Sequence, residues 1–263
     1  IRMPGNYAHY RFGQELISHM DPRQQRIIGR FRQLYDMGLH GPDLFYYTDS
    51  LLLKTDGKPG KQLHELTGKA FFEQACQGAR TQGSEGMTAY LCGLLAHYTL
   101  DSTCHPFIHR NTTDKLTHNQ IETEFDRYLL NMDGHKPAHL YDCSRHMSLS
   151  DGEAALIAPL YPGMSAAQVK SCARNMKRSA RLLTMPKGFR RDLSTAVLSR
   201  IAPQTAHRIM PLHANRACAS LDPSLLRLYE MAASRYDLLL ELLFAHLKKG
   251  VPLGPDFDAV FGK

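Results

Sequence analysis

The chain has 263 residues, 43% of them hydrophobic and 22% charged, with a formal net charge of +7. This balance excludes a disordered polymer, and no apolar run approaches the ~20 residues needed to span a bilayer. Eight basic residues and no acid lie between Lys170 and Arg191; without them the remaining chain carries −1, so the basic character is local.

Residues 1–13 contain no apolar core and no small-residue cleavage site of a secretory signal. Met3 reads as the natural start, and a cytoplasmic location is expected, with secretion only if a leader precedes this sequence. Cys76, Cys92, Cys104, Cys143, Cys172 and Cys218 are scattered without CxxC pairing, which predicts free thiols.

Helix signals then follow in chain order. Asp21-Pro22 places an N-cap before a proline at the first helical position, and Gly38 closes that helix. Residues 61–80 read as a second helix, with Leu63, Leu66, Ala70 and Phe71 on one side. Ser84 caps a third, expected to run to about His105 because Pro106 disfavours continuation. A fourth spans residues 117–132. Ser165 caps residues 166–184, and Asp222-Pro223 begins a long final helix that stops before Gly250. Residues 134–152 and 186–211 read as long connections. No alternating strand pattern or internal repeat is present. The expectation is an all-α, single-domain multi-helix bundle over residues 1–263, with chemistry in residues 9–122 and a C-terminal helical half over 150–250.

That chemistry begins on the third helix, where His97, Asp101 and His105 stand four residues apart and share one face, neighbouring side chains about 6 Å apart. His118 and Glu122 repeat the spacing. Imidazole and carboxylate are the ligands of a zinc ion that keeps a position open, and a carboxylate can bridge two ions. His9, Asp43 and His64 are upstream candidates. The alternative is a satisfied core network in which Glu122 pairs with a basic side chain. Against it, His97 and Asp101 lie among Leu91, Leu94, Leu95 and Tyr98, where unpaired polar groups cost about 2 kcal/mol or more.

Met3-Pro4-Gly5-Asn6-Tyr7-Ala8-His9, Gly41-Pro42-Asp43-Leu44-Phe45, His97-Tyr98-x-x-Asp101 and His118-x-x-x-Glu122 resemble the zinc-dependent phospholipase C family, whose helical fold is shared with S1/P1-type nucleases. The resemblance covers His9 to Glu122; from about Gly134 onward nothing familiar is recognised. It implies a phosphodiester hydrolase with two or three zinc ions. Carried over by position, Asp43, His64 and His97 would hold one ion, Asp101 would bridge to a second near His9, and His105, His118 and Glu122 would hold the last. Asp43 and Asp101 would be the catalytic carboxylates. Secreted members also use the amino group of an N-terminal tryptophan, and this chain has no tryptophan. The family places its next histidine six residues after the bridging aspartate; here the choice lies between His105 and His109. Phospholipid at a membrane surface is the implied substrate. Nucleic acid, or a vestigial metal site in a non-catalytic binding protein, are the alternatives.

In the basic stretch, Lys170, Arg174, Lys177, Arg178 and Arg181 fall opposite Val169, Ala173, Met176, Ala180 and Leu183 on a helix. The simpler reading is the solvated face of an amphipathic helix. The functional one is an anionic-ligand surface at Arg174, Lys177 and Arg181 that attracts lipid or nucleic acid.

Overall fold

A computed structural model describes residues 5–48 and 57–262. The helices are α1 (Asn6–Leu16), α2 (Pro22–Arg30), α3 (Arg32–Gly38), α4 (Lys58–His64), α5 (Gly68–Gln82), α6 (Glu85–Asn111), α7 (His118–Met132), α8 (Asp151–Ile157), α9 (Ala166–Leu183), α10 (Phe189–Ile201), α11 (Pro203–Ala206), α12 (Arg216–Ala219) and α13 (Asp222–Lys249). A 3-10 segment, Gly41–Tyr47, links α3 towards α4. Among the described residues there is no β-strand, only an isolated antiparallel bridge between Thr67 and Val260. No described helix is long and apolar enough to cross a membrane.

One apolar core runs from Tyr7 to Phe261 and includes side chains of both halves of the chain. Its axis is α6, buried on nearly every side from Gly86 to Asp101 and packed chiefly by α3 and α13. A helix that is apolar all round belongs in such a position. The six cysteines are free, five of them buried in the interior.

Start and stop chemistry places the ends of several helices. Asp21, Thr117, Ser150 and Ser165 each form a reciprocal capping box with Gln24, Gln120, Glu153 and Gln168. Gly250, at φ 70°, ends α13 where the sequence places the stop. Four expectations need correction. The helix expected from Pro22 to Gly38 breaks at Phe31 (φ −117°, ψ 40°), so α3 can turn and lie along α6. The helix expected over 61–80 is two, because the Thr67 hydroxyl accepts from the Ala70 N–H and starts α5 afresh. α6 continues through Pro106 to Asn111; burial of Cys104, His105 and Ile108 on both sides outweighs the proline penalty. Residues 186–211 are not a bare connection but contain α10 and α11. α1, for which no helix signal was read, seats His9.

The basic stretch behaves as an amphipathic helix. Val169, Ala173, Met176, Ala180 and Leu183 are buried on α9, while Arg174, Arg178 and Arg181 are exposed and Lys170 pairs with Asp151 at 2.7 Å.

Candidate metal centre

Eight side chains from five elements meet inside the bundle: His9 from α1, Asp43 from the 3-10 segment, His64 from the last turn of α4, His97, Asp101 and His105 from α6, and His118 and Glu122 from α7. All eight are buried. They form three groups, in each of which the ligand atoms lie within 4.8 Å of one another: His9 with His97 and Asp101, Asp43 with His64 and His97, and His105 with His118 and Glu122; the first two share His97.

Asp101 occupies the middle. Its Oδ1 is 3.1 Å from His9 Nε2 and 3.6 Å from His105 Nε2, and its Oδ2 is 3.2 Å from His97 Nε2 and 4.0 Å from His64 Nε2. His64 Nε2 is also 3.0 Å from Asp43 Oδ1. Glu122 Oε1 lies 3.2 Å from His105 Nε2 and 2.7 Å from His118 Nε2.

Backbone carbonyls orient the imidazoles from behind. Nδ1 of His64 donates to Gly60 O at 2.7 Å, Nδ1 of His97 to Leu39 O at 3.1 Å, and Nδ1 of His105 to Phe261 O at 3.2 Å. Each bond holds a proton on Nδ1 and turns Nε2 towards the cluster, the arrangement usual for metal-ligating histidine. The ring of His97 fits because residue 41 is glycine: a Cβ there would meet His97 Cδ2 at 2.6 Å, and φ is +42°.

Several facing atoms make no aligned hydrogen bond despite this proximity: Asp43 Oδ1, His64 Nε2, His97 Nε2, Asp101 Oδ2 and Glu122 Oε2. Polar atoms orphaned in an apolar interior cost free energy. A divalent cation supplies the missing partner for nitrogen and oxygen donors alike, so the residues fit zinc. The electrostatics agree. Burial works against a charge on Asp101, but His105, His97 and His9 outweigh it and hold the carboxyl well below its usual range. His97 is pushed up to about 9, burial being overcome by Asp101 and then Asp43. Glu122 goes the other way: burial, with Asp101 and Asp43 nearby, drives it up to about 8 even though His105 opposes this. A cation bound beside Glu122 would favour its charged carboxylate and offset the burial that raises it.

His105, not His109, stands in the group with His118 and Glu122. His109 points its Nε2 at Gly262 O, 2.9 Å away, with its ring 5.0 Å from that of His118. Arg174, Lys177 and Arg181 belong to α9 and enter none of the three groups. Met3 and Pro4 of the first motif lie outside the described residues.

Some contributors have weak sequence signals. Asp126, one turn beyond Glu122, accepts from Tyr7 N at 3.0 Å and Ala8 N at 2.8 Å, anchoring the N-terminus of α1 and so the position of His9. His118, Glu122 and Asp126 share the same four-residue spacing, which would have flagged it. His40 pairs with His146, Nε2 to Nε2 at 2.8 Å, behind the Gly41-Pro42-Asp43 turn. Phe261 and Gly262 close over His105, His64 and His109 through backbone hydrogen bonds, and the Phe261 ring packs against His64 and His97.

A cavity of about 60 Å³ adjoins the cluster at Glu122 and is walled by Gly5, Asp126, Ala180, Thr184, Arg208 and Met210. Arg208 is steadied by the Tyr47 hydroxyl at 2.6 Å. A cation beside a metal cluster can receive an anionic group.

Comparison with known proteins places these observations. The family of zinc-dependent phospholipase C matches residues 8–169, which include all eight clustered side chains and extend the likeness beyond Glu122 to the first turn of α9. No curated protein and no solved structure matches significantly. The matched span is more than half of the sequence and contains the whole histidine–carboxylate cluster: the chain belongs to the zinc-dependent phospholipase C family.

Proposed function

We propose that the protein is a phosphodiester hydrolase that uses two or three zinc ions to cleave the headgroup phosphate ester of phospholipids. The observation that carries this reading is the buried, overlapping arrangement of five imidazoles and three carboxylates around Asp101. Zinc in such a setting polarises phosphoryl oxygens and makes water acidic enough to attack near neutral pH. The protein's share is positional. Asp101 contacts His9 and His97 of its own group and His105 of another, His64 and His97 are aimed by Gly60 and Leu39, and Asp43 stands at the edge of the cluster where it can orient the attacking water and accept its proton. Arg208, in the adjoining cavity, offers a fixed positive charge to the substrate phosphate. The apolar shell around the cluster keeps the effective dielectric low and strengthens each of these interactions.

The test is metal analysis of the purified protein with turnover of bis-(p-nitrophenyl) phosphate, phosphatidylcholine and single-stranded DNA. The expected result is zinc at two or three equivalents and release of diacylglycerol from phosphatidylcholine. A chelator should abolish turnover, added zinc should restore it, and removal of zinc should lower the melting temperature because binding to the native state alone stabilises it. Protein that binds no zinc and cleaves none of the three substrates overturns the reading; cleavage of DNA alone replaces the lipid with a nucleic acid.

A second prediction separates the two neighbouring histidines. His105→Ala removes a side chain that faces both Asp101 and Glu122, and should lower zinc content and cut turnover by ~100-fold or more. His109→Ala removes a bond to a backbone carbonyl and should cost less than ~10-fold. The reverse order would make His109 the ligand.

A further inference from the structure

The helix α10 is built inside out. Of its thirteen residues the buried one is an arginine, Arg191, whose guanidinium donates to Met185 O at 3.0 Å and also to Met210 O. Its large apolar side chains face outward: Phe189 is 79% exposed, Leu193 52%, Val197 46% and Ile201 57%. At roughly 100° per residue, side chains four apart drift by about 40°, so these four form one stripe about 120° wide and about 18 Å long. Arg191 lies on the far side of the helix. Arg190 and Arg200 fall within the stripe, one near each end, and both are exposed. Asp192 lies off it.

An exposed apolar stripe in a water-soluble setting marks an interaction surface, and its charge complement narrows the partner. Six of the eight basic residues of 170–191 precede α10 with no acid among them, and Arg190 and Arg191 lie in its first turn. Phenylalanine and aliphatic side chains flanked by arginines that can extend to a charged headgroup layer are the composition of a helix lying in a membrane interface. Position supports the same partner. Thr184, before α10, and Arg208 and Met210, after α11, line the cavity that adjoins Glu122. The excursion containing α10 therefore leaves and returns at the wall of that cavity.

We propose that α10 is an interfacial anchor that inserts Phe189, Leu193, Val197 and Ile201 among the acyl chains of an anionic phospholipid bilayer, bringing the cavity beside Glu122 to the headgroup layer. The proposal rests on the phospholipid reading above for its purpose, but its test is read without turnover. The protein has no tryptophan, so Phe189→Trp installs a single tryptophan on the stripe, excited selectively over the tyrosines. With vesicles of phosphatidylcholine and phosphatidylglycerol its emission should shift to the blue, and the shift should weaken with salt and grow with the proportion of phosphatidylglycerol. In a sedimentation assay, Phe189→Ser/Leu193→Ser/Val197→Ser should reduce the vesicle-bound fraction at least tenfold, with helical content, zinc content and turnover of bis-(p-nitrophenyl) phosphate unchanged. Vesicle binding without any hydrolysis would leave the anchor standing and remove the enzymatic reading. Failure of the wild-type chain to sediment with vesicles overturns the anchor, as does binding that the triple variant retains. A blue shift that appears without lipid and grows with protein concentration also overturns it, assigning the stripe to contact between two copies.

Discussion

Asp101→Asn should reduce phosphodiester turnover by about 10³-fold or more while leaving the helical fold intact. The size of the effect follows from the position of one carboxylate among four imidazoles: His9 and His105 on Oδ1, His97 and His64 on Oδ2. Asparagine keeps the volume, so no cavity forms in the core. It removes a negative charge and turns one of the two oxygens into an N–H donor, unable to ligate a cation. Two of the three groups meet at His97, which Asp101 contacts directly, so both lose geometry together. Loss of one preorganised electrostatic group costs ~10²–10³-fold in kcat in simpler sites, and a shared one should cost more because residues acting as a unit are not additive. Turnover of bis-(p-nitrophenyl) phosphate, zinc content and far-ultraviolet circular dichroism of the variant settle it. Unchanged turnover would take Asp101 out of the reaction.

The same residues show what was legible from sequence. His97, Asp101 and His105 were readable because a helix converts four-residue spacing into a shared face, and His118 with Glu122 repeats it. His9, Asp43 and His64 lie far away in sequence and stand there as bare candidates whose grouping only the resemblance implies; their placement depends on the packing of α1, the 3-10 segment and α4 against α6. What sequence could not supply is the backbone side of the site: Leu39, Gly60 and Phe261 act on the imidazoles through carbonyl oxygens, which no side-chain motif reports. The errors in the fold have a related cause. A proline signal is local, whereas burial along α6 is not, so the helix passes Pro106. α10 escaped notice because its apolar residues face solvent rather than a core.

Gly93→Ala should destabilise the fold by about 3 kcal/mol and disturb the metal centre as well. α3 crosses α6 at a point where glycines meet: a Cβ on Gly93 would sit 2.1 Å from Tyr35 O and 3.1 Å from Gly38 Cα, and one on Gly38 would sit 2.3 Å from Tyr90 O. Tyr35 O belongs to the backbone of α3, so no rotamer change relieves the overlap and the helices must separate. Such overpacking costs about 1–3 kcal/mol when side chains can give way, and the upper end or beyond when they cannot. In a chain of this length that corresponds to a fall of roughly 6–12 °C in melting temperature. The consequence reaches the site because α3 leads directly into Leu39, whose carbonyl orients His97, and then into Asp43. Separation of α3 from α6 should therefore weaken zinc retention before the chain unfolds. Gly29→Ala supplies the control: it is on a helix in open space, where a Cβ meets nothing within 4 Å, and should stabilise by about 0.5–1 kcal/mol through helix propensity. Equal melting temperatures for the two variants would show that the crossing of α3 and α6 tolerates a methyl group and is not what holds Leu39 against His97.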